Sequence, residues 1–340
     1  MRLSILDQSP ISEGSSPAEA LRNSVDLAQL GDRLGYERYW IAEHHGTAIS
    51  ATTAPEVMVG VIAQATGRIR VGSGAVLLPH YAPFKVAELF RTLHALFPGR
   101  IDLGVGRGPG AGAAETAALS RGRKGGEFTP DDFPARLSEL RALLHGGFAP
   151  GHPLARVRVQ PEGAGAPELW VVGSSPWASA GAGQLGLPYA YAHFIGPAHT
   201  RMAMKSYQQA FRPTPLRAAA KGMVAIGVLC ADTDAAADRI ASSLRAVARR
   251  TERGVQGAAP SIEDALKELA GQPEPPEPDP GQWRRVIIGG PDKVRAQLQQ
   301  IAEALGVDEV MANTITHDHA DRRRSYELLA QAFGLELRHT

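Results

Sequence analysis

Several groups capable of chemistry stand at the ends of apolar runs in this 340-residue chain. Glu43-His44-His45 joins a carboxylate to two imidazoles, which titrate near neutrality and suit general acid/base work. Neighbouring residues on a strand point to opposite faces, so the two histidines cannot both aim at one atom unless the strand has already turned; the inward one suits acid/base work and the other is structural. Arg107 stands within Gly104-Val105-Gly106-Arg107-Gly108, where glycines clear space for a guanidinium to fork onto a phosphate. In Gly173-Ser174-Ser175-Pro176-Trp177 the small residues let backbone N–H groups approach an anion at a helix start, and two hydroxyls add donors. Ser at a helix start is ordinarily an N-cap and nothing more. Combined with Arg107, however, the serine pair points to a phosphate-bearing ligand. Residues 69–79, IRVGSGAVLLP, read as a strand interrupted by Gly72 and Gly74. Glycine inside a strand marks a bulge or the close approach of a ligand, and a planar ring could lie there.

Short apolar runs alternate with segments of helical period and supply the frame for these groups. The predicted strands are 3–8, 38–43, 69–77, 100–105, 168–173, 189–194, 223–230 and 308–313. The predicted helices are 17–34, 54–66, 83–96, 130–145, 177–186, 198–211, 233–250, 291–305 and 318–333. Ser16-Pro17, Thr129-Pro130 and Gly290-Pro291-Asp292 supply helix-start signals. Near-continuous apolar strands suit a parallel sheet buried on both faces. Eight β/α units favour a closed (β/α)₈ TIM barrel of the α/β class, with the whole chain, 1–340, as one domain. The competing fold is an open Rossmann-like sheet. Against it, Ser9-Pro10-Ile11 follows the first strand where a glycine-rich dinucleotide fingerprint would stand.

Catalysis in such a barrel occurs at the C-terminal strand ends. Those ends carry Asp7-Gln8, Glu43-His44-His45, Pro79-His80, Arg107, Gly173-Ser174-Ser175, His193 and Asn313-Thr314, which predicts a ligand site built by seven strands. Two segments break the rhythm. Residues 106–128 are rich in Gly and Arg, and 251–285 form a long insertion after strand seven with a short helix, a Pro-rich run and the place of a mobile lid.

Composition removes other classes. At 44% hydrophobic and 21% charged the chain is globular, and its 37 Gly and 25 Pro stay below the roughly 25–30% share of low-complexity chains. A net charge of +1 favours neither nucleic acid nor a membrane surface. The lone Cys230 makes no intrachain disulfide or thiolate cluster, so no metal is expected and a reducing, cytoplasmic setting fits. The opening residues are too short for a signal peptide's apolar core, and no run reaches membrane-spanning length.

In order along the chain, YWIAEHHGT (39–47), IRVGSGAVLLPHYAPFKVAE (69–88), GRIDLGVGRG (99–108), LWVVGSSPWASA (169–180), VIIGGPDKVRAQL (286–298) and DEVMANT (308–314) resemble the luciferase-like flavin monooxygenases. The resemblance implies a (β/α)₈ barrel holding FMN at its C-terminal rim, with His44 catalytic. It places a non-proline cis peptide at Gly74-Ala75 under the flavin ring, the phosphate on Arg107, and the phosphate loop on Gly173, Ser174 and Ser175. Trp177 and His193 are counted with the cofactor-binding residues, and His80, Tyr81 and Phe194 with the pocket wall. Two departures separate the chain from luciferase itself: Gly106 replaces a reactive cysteine, and the phosphate-loop glutamate is absent near Ser174-Ser175. The implied reaction uses reduced FMN from a separate flavin reductase, with O₂, to oxidise a small organic substrate. A homodimer through 54–66 and 83–96 is also implied. The alternatives are a deazaflavin-dependent hydride-transfer reductase, a non-catalytic flavin-binding protein and, suggested by His44-His45 and His317-Asp318-His319, a metal-dependent barrel hydrolase. The hydrolase is disfavoured because Asp7-Gln8 stands where such barrels keep their first metal-binding histidines.

Overall fold

The computed structural model describes residues 1–121, 132–163, 165–273 and 276–337. Among these residues the strands are β1 (Arg2–Asp7), β2 (Arg38–Ile41), β3 (Arg70–Leu77), β4 (Ile101–Gly106), β5 (Glu168–Gly173), β6 (Tyr189–Ala192), β7 (Gly222–Cys230), β8 (Val286–Gly289) and β9 (Glu309–Asn313). The helices are α1 (Pro17–Leu34), α2 (Pro55–Ala65), α3 (Pro83–Leu96), α4 (Ala113–Ser120), α5 (Phe133–His145), α6 (Pro176–Gln184), α7 (Thr200–Ala210), α8 (Asp234–Ile240), α9 (Ser242–Glu252), α10 (Ile262–Leu269), α11 (Pro291–Leu305) and α12 (His319–Phe333). Proline opens α1, α2, α3, α6 and α11, where its missing N–H costs nothing. Ser16 caps α1 by accepting from the Glu19 amide at 3.2 Å. The start expected at Thr129-Pro130 lies outside the described residues.

Every strand pairing is parallel. Strands β1 to β7 pair in sequence, and β9 bridges β7 to β1, which closes an eight-stranded barrel ringed by helices. The predicted α/β barrel is therefore the observed fold. One strand was not foreseen. In β8 only Ile287 and Gly289 are buried, and the four-residue VIIG run reads as a lead-in to α11. It hydrogen-bonds to Gly227–Cys230 at the outer end of β7, after Val224–Gly227 have paired with β9. The helix expected over 233–250 divides into α8 and α9 at Ala241, and α4 forms within the Gly- and Arg-rich segment after β4.

Inside the barrel the side chains stack in layers. Leu6, Trp40, Ala190, Ala225 and Met311 form an apolar layer, with Trp40 and Trp170 edge to face at 5.3 Å between ring centroids. Below it Arg38 is buried between carboxylates, donating to Asp102 at 2.7 Å and Glu309 at 2.8 Å, and lies 5.0 Å from the Trp170 ring. Buried charge is tolerated only when paired, and here each partner is hydrogen-bonded. This charged layer fills the N-terminal end of the barrel and leaves the C-terminal end for a ligand.

Asp7, expected at the ligand rim, is instead a structural joint. Its buried carboxylate pairs with Arg322 of α12 and accepts from the Tyr39 hydroxyl. Burial pushes its pKa up, but Arg322 together with the Ser24 and Tyr39 hydroxyls outweighs burial and holds it below the ordinary range. The seam between β1, β2 and α12 is thus ionic as well as apolar.

Candidate active site

A cavity of about 320 Å³ opens among the C-terminal strand ends, within the roughly 300–1,000 Å³ typical of small-molecule sites. Its floor is the apolar layer of Leu6, Trp40 and Met311. Gly74 and Ala75 lie on this floor and the peptide between them is cis, as the motif resemblance implies. A Cβ at Gly74 would stand 2.9 Å from Leu6 Cδ1 and 3.1 Å from Trp40 Cε3, so glycine keeps the floor low. Gly72 has a different task. A Cβ there would meet the Asp102 carbonyl oxygen at 2.6 Å and Trp40 Nε1 at 2.9 Å, so it serves packing inside the barrel.

At one end of the cavity lie Arg107, Ser174 and Ser175. Among the described residues the Arg107 guanidinium makes no hydrogen bond or ion pair, which leaves its fork available to a ligand. Ser175 caps α6 by accepting from the Ala178 amide at 3.2 Å, so its own O–H remains free to donate. In the first turn of α6 Pro176 has no N–H and Ser175 takes the Ala178 and Ser179 amides, so what the helix start adds is chiefly the positive end of its dipole. A Cβ at Gly108 would meet nothing within 4 Å, which keeps the approach to Arg107 open.

His44 lines the same cavity, and its buried Nδ1 has no hydrogen-bond partner among the described residues. Burial, reinforced by neighbouring His45, lowers its pKa below the ordinary histidine value, so the ring is neutral near pH 7 with a lone pair to accept a proton. The turn after β2 resolves the ambiguity between the two histidines. His45 faces the other way and donates Nε2–H to Glu43 Oε1 at 2.8 Å. Glu43 also lines the cavity; its Oε2 accepts from the Leu77 amide and its Oε1 from the Tyr81 hydroxyl, both at 2.9 Å. Burial raises the Glu43 pKa despite these contacts.

Of the seven polar strand ends, four reach the cavity, through Gln8, Glu43-His44, Arg107 and Gly173-Ser174-Ser175. The other three are satisfied elsewhere, which corrects the expectation that all converge on one ligand. Asn313 Nδ2 donates to the Leu6 carbonyl and Thr314 Oγ1 to that of Val228. His80 Nε2 donates to the Pro109 carbonyl at 2.7 Å.

Two residues expected to hold the cofactor do not line the cavity. His193 is fully buried, with Nδ1 2.6 Å from Thr200 Oγ1 and Nε2 donating to the Arg284 carbonyl at 2.9 Å, so both nitrogens are used. Trp177 packs edge to face on Phe133 at 5.3 Å, and it is Phe133 that enters the wall. Neither His80 nor Tyr81 lines the cavity; of the expected wall residues Phe194 does, beside Ile195. Phe133 was missed because it stands on an outer helix far along the chain, with no local motif. The hydrolase alternative loses its ligands: His317 Nε2 lies 3.2 Å from the Glu13 carbonyl oxygen, His319 Nε2 2.8 Å from Asp26, and among the described residues no group of three metal-ligating side chains comes together.

A cation, two hydroxyls and a helix start at one end, a low glycine floor, and a neutral imidazole with an unused nitrogen together fit a planar cofactor that carries phosphate. The family model for luciferase-like monooxygenases matches residues 1–309.

The chain belongs to the luciferase-like monooxygenase family.

It is 35% identical to the Escherichia coli luciferase-like monooxygenase, over 96% of this chain and 95% of the relative. It is 33% identical to the Bacillus subtilis N-acetyl-S-alkylcysteine monooxygenase, over 98% of each. The solved structure of apo-MsnO8 superposes with a TM-score of 0.90 at 43% identity, covering 99% of both chains. Two more distant structures share the fold: the oxygenating constituent of the Pseudomonas putida 3,6-diketocamphane monooxygenase, solved with FMN (TM-score 0.70, 22% identity, 99% of both chains), and an F420-dependent secondary alcohol dehydrogenase with an F420-acetone adduct (TM-score 0.68, 15% identity, 97% and 98%). As a member of this family the chain is a flavin-dependent oxidoreductase. No helix among the described residues is long and apolar enough to cross a membrane.

Proposed function

We propose that this luciferase-like chain is the oxygenase of a two-component system, which takes reduced FMN from a separate flavin reductase and uses O₂ to oxidise a small organic substrate in the cytoplasm. The observation that carries the reading is the pairing, in one cavity, of the Arg107 fork with the His44 ring, neither of which has a side-chain partner among the described residues. Reduced flavin supplies two electrons, so that one oxygen atom of O₂ enters the substrate and the other leaves as water. Arg107, Ser174 and Ser175, at the positive end of the α6 dipole, would hold the phosphate and fix the cofactor in register. Gly74 and Ala75 support the flat ring. His44 accepts or returns a proton, which its neutral state permits. The apolar floor of Leu6 and Trp40 and the wall of Val172 and Phe194 would keep water from the reacting atoms.

The deciding experiment incubates the purified chain with FMN, a flavin reductase and NADH, and in parallel with reduced F420. Flavin-dependent O₂ consumption stimulated by a small organic substrate supports the reading. Hydride transfer with F420 and no reaction with reduced FMN would replace the oxygenase by a deazaflavin reductase, and binding without turnover would leave a carrier.

The 251–285 segment is read as the cover of this site. None of its described residues lines the cavity, but its return limb is fastened beside it. His193 holds the Arg284 carbonyl next to Phe194 and Ile195 of the wall, and the Arg201 guanidinium lies 3.9 Å from the Trp283 ring centroid. Deleting 270–282 is expected to leave cofactor affinity within about threefold while peroxide release rises at the expense of oxygenated product. Unchanged coupling in the deletion would remove the cover from the mechanism.

A homodimer is read from α2 and α3. Val57 and Val61 of α2 are 61% and 47% exposed, and Val57 lines an open groove with Leu89 of α3. Light scattering is expected to give twice the 36.1 kDa chain mass. A Val57→Glu/Val61→Glu variant should run as a monomer, and a wild-type monomer would refute the interface.

A further inference from the structure

We propose that Glu43 is a positioning residue that fixes the Arg107 loop against the strand end carrying His44, and so sets the site's preference for a phosphorylated flavin. The proposal rests on the flavin reading above. Glu43 is 2% exposed, and its carboxylate gathers three donors from separate parts of the rim: the Leu77 amide at the end of β3, the Tyr81 hydroxyl beyond it, and His45 Nε2 on its own strand end. From there the connection runs to the loop after β4. The His45 amide donates to the Gly110 carbonyl at 2.8 Å, His80 Nε2 donates to the Pro109 carbonyl at 2.7 Å, and the His45 and His80 rings meet edge to face at 5.9 Å.

The loop is pressed onto this network with no spare room. Gly110 has φ +57°, and a Cβ there would stand 2.2 Å from Leu77 Cδ1 and 3.1 Å from the Glu43 carbonyl oxygen. Arg107 stands three residues earlier on the same loop and has no bond of its own among the described residues to hold it. Its backbone is set on one side by Gly106, paired with Leu77 at the end of β3, and on the other by residues 109–110, and both anchors lead to Glu43 through Leu77, His45 and His80. A carboxylate suits the task because it is acceptor-only and can receive all three donors, whereas an amide would turn an N–H₂ toward them. Displacing one donor from Glu43 moves the end of β3 and the Arg107 loop relative to each other, and a fork that binds phosphate in two parallel bonds is sensitive to that shift.

The test compares FMN with riboflavin, which keeps the ring and lacks the phosphate, by quenching of flavin fluorescence on the full-length chain. Wild type should prefer FMN. Glu43→Gln should lose about tenfold in FMN affinity, equivalent to one charge-assisted bond, with riboflavin affinity moving less than about twofold. Tyr81→Phe removes one donor without removing the acceptor and should shift the same ratio in the same direction by a smaller factor; it stands in if Glu43→Gln fails to fold. A general loss of packing would weaken both flavins together, so equal losses overturn the proposal. An unchanged ratio in both variants also overturns it while leaving the flavin reading intact. A wild-type chain without any preference for FMN overturns that reading and the proposal with it.

Discussion

Arg107→Ala should bind FMN about two orders of magnitude more weakly than wild type, a loss of ~3 kcal/mol, while riboflavin affinity stays within about threefold. The guanidinium stands in the cavity with no partner among the described residues, so its removal breaks nothing in the unliganded protein. The expected stability cost to the unliganded chain is accordingly below about 0.5 kcal/mol, as for an uninvolved surface substitution. The two expectations can be read in one thermal-shift experiment. At a flavin concentration of about a hundred times the wild-type dissociation constant, binding stabilises wild type by ~2.7 kcal/mol and the variant by only ~0.4 kcal/mol. Arg107→Lys keeps the charge but loses the planar fork, and should fall between the two. If Arg107→Ala binds FMN as tightly as wild type, the phosphate lies elsewhere and Ser174, Ser175 and the start of α6 lose their assigned role with it.

The placement of these groups was legible because it follows from short-range patterns. Arg107 sits at the end of a buried parallel strand between glycines, and Ser175 precedes a proline-opened helix, so period and punctuation alone put both on the C-terminal rim. What could not be read was which way each rim side chain turns. His193 has the same standing in sequence as His44, a histidine at the end of an apolar strand, yet it is spent on Thr200 and Arg284 because a segment more than eighty residues later returns beside it. Asp7 is withdrawn by Arg322, 315 positions away. Trp177 reads as an aromatic of the phosphate loop, but Phe133 occupies the wall in front of it. The strand β8 escaped notice for a similar reason: it exists because the outer half of β7 has an edge left after β9 departs, which is a property of the sheet and not of four residues. Local chemistry was thus visible from sequence, and long-range satisfaction of that chemistry was not.

That distinction bears most on His44, whose assignment depends on having no partner. His44→Ala should reduce kcat by about 10²–10⁴-fold, the range of a positioned general acid or base, with FMN affinity changed by less than about threefold because the phosphate contacts are untouched. The pH dependence supplies a sharper check. Burial, and then the proximity of His45, disfavours the imidazolium, so the neutral ring persists as pH falls through the ordinary histidine value of 6.5. If the neutral form is the active base, wild-type kcat holds across that value and declines only at lower pH, and the His44→Ala variant lacks this decline in its residual activity. A His acting as an acid would give the opposite limb, with activity lost as pH rises. The neighbouring imidazole cannot substitute, because His45 commits its Nε2–H to the Glu43 carboxylate and does not line the cavity. Adding imidazole to His44→Ala should restore part of the rate without altering flavin affinity, since the truncated side chain leaves room beside the ring. Full turnover in His44→Ala, or an acid limb unchanged by the substitution, would assign the proton transfer to another group in the cavity, and Glu43, with its carboxyl pKa raised by burial, would be the next to test.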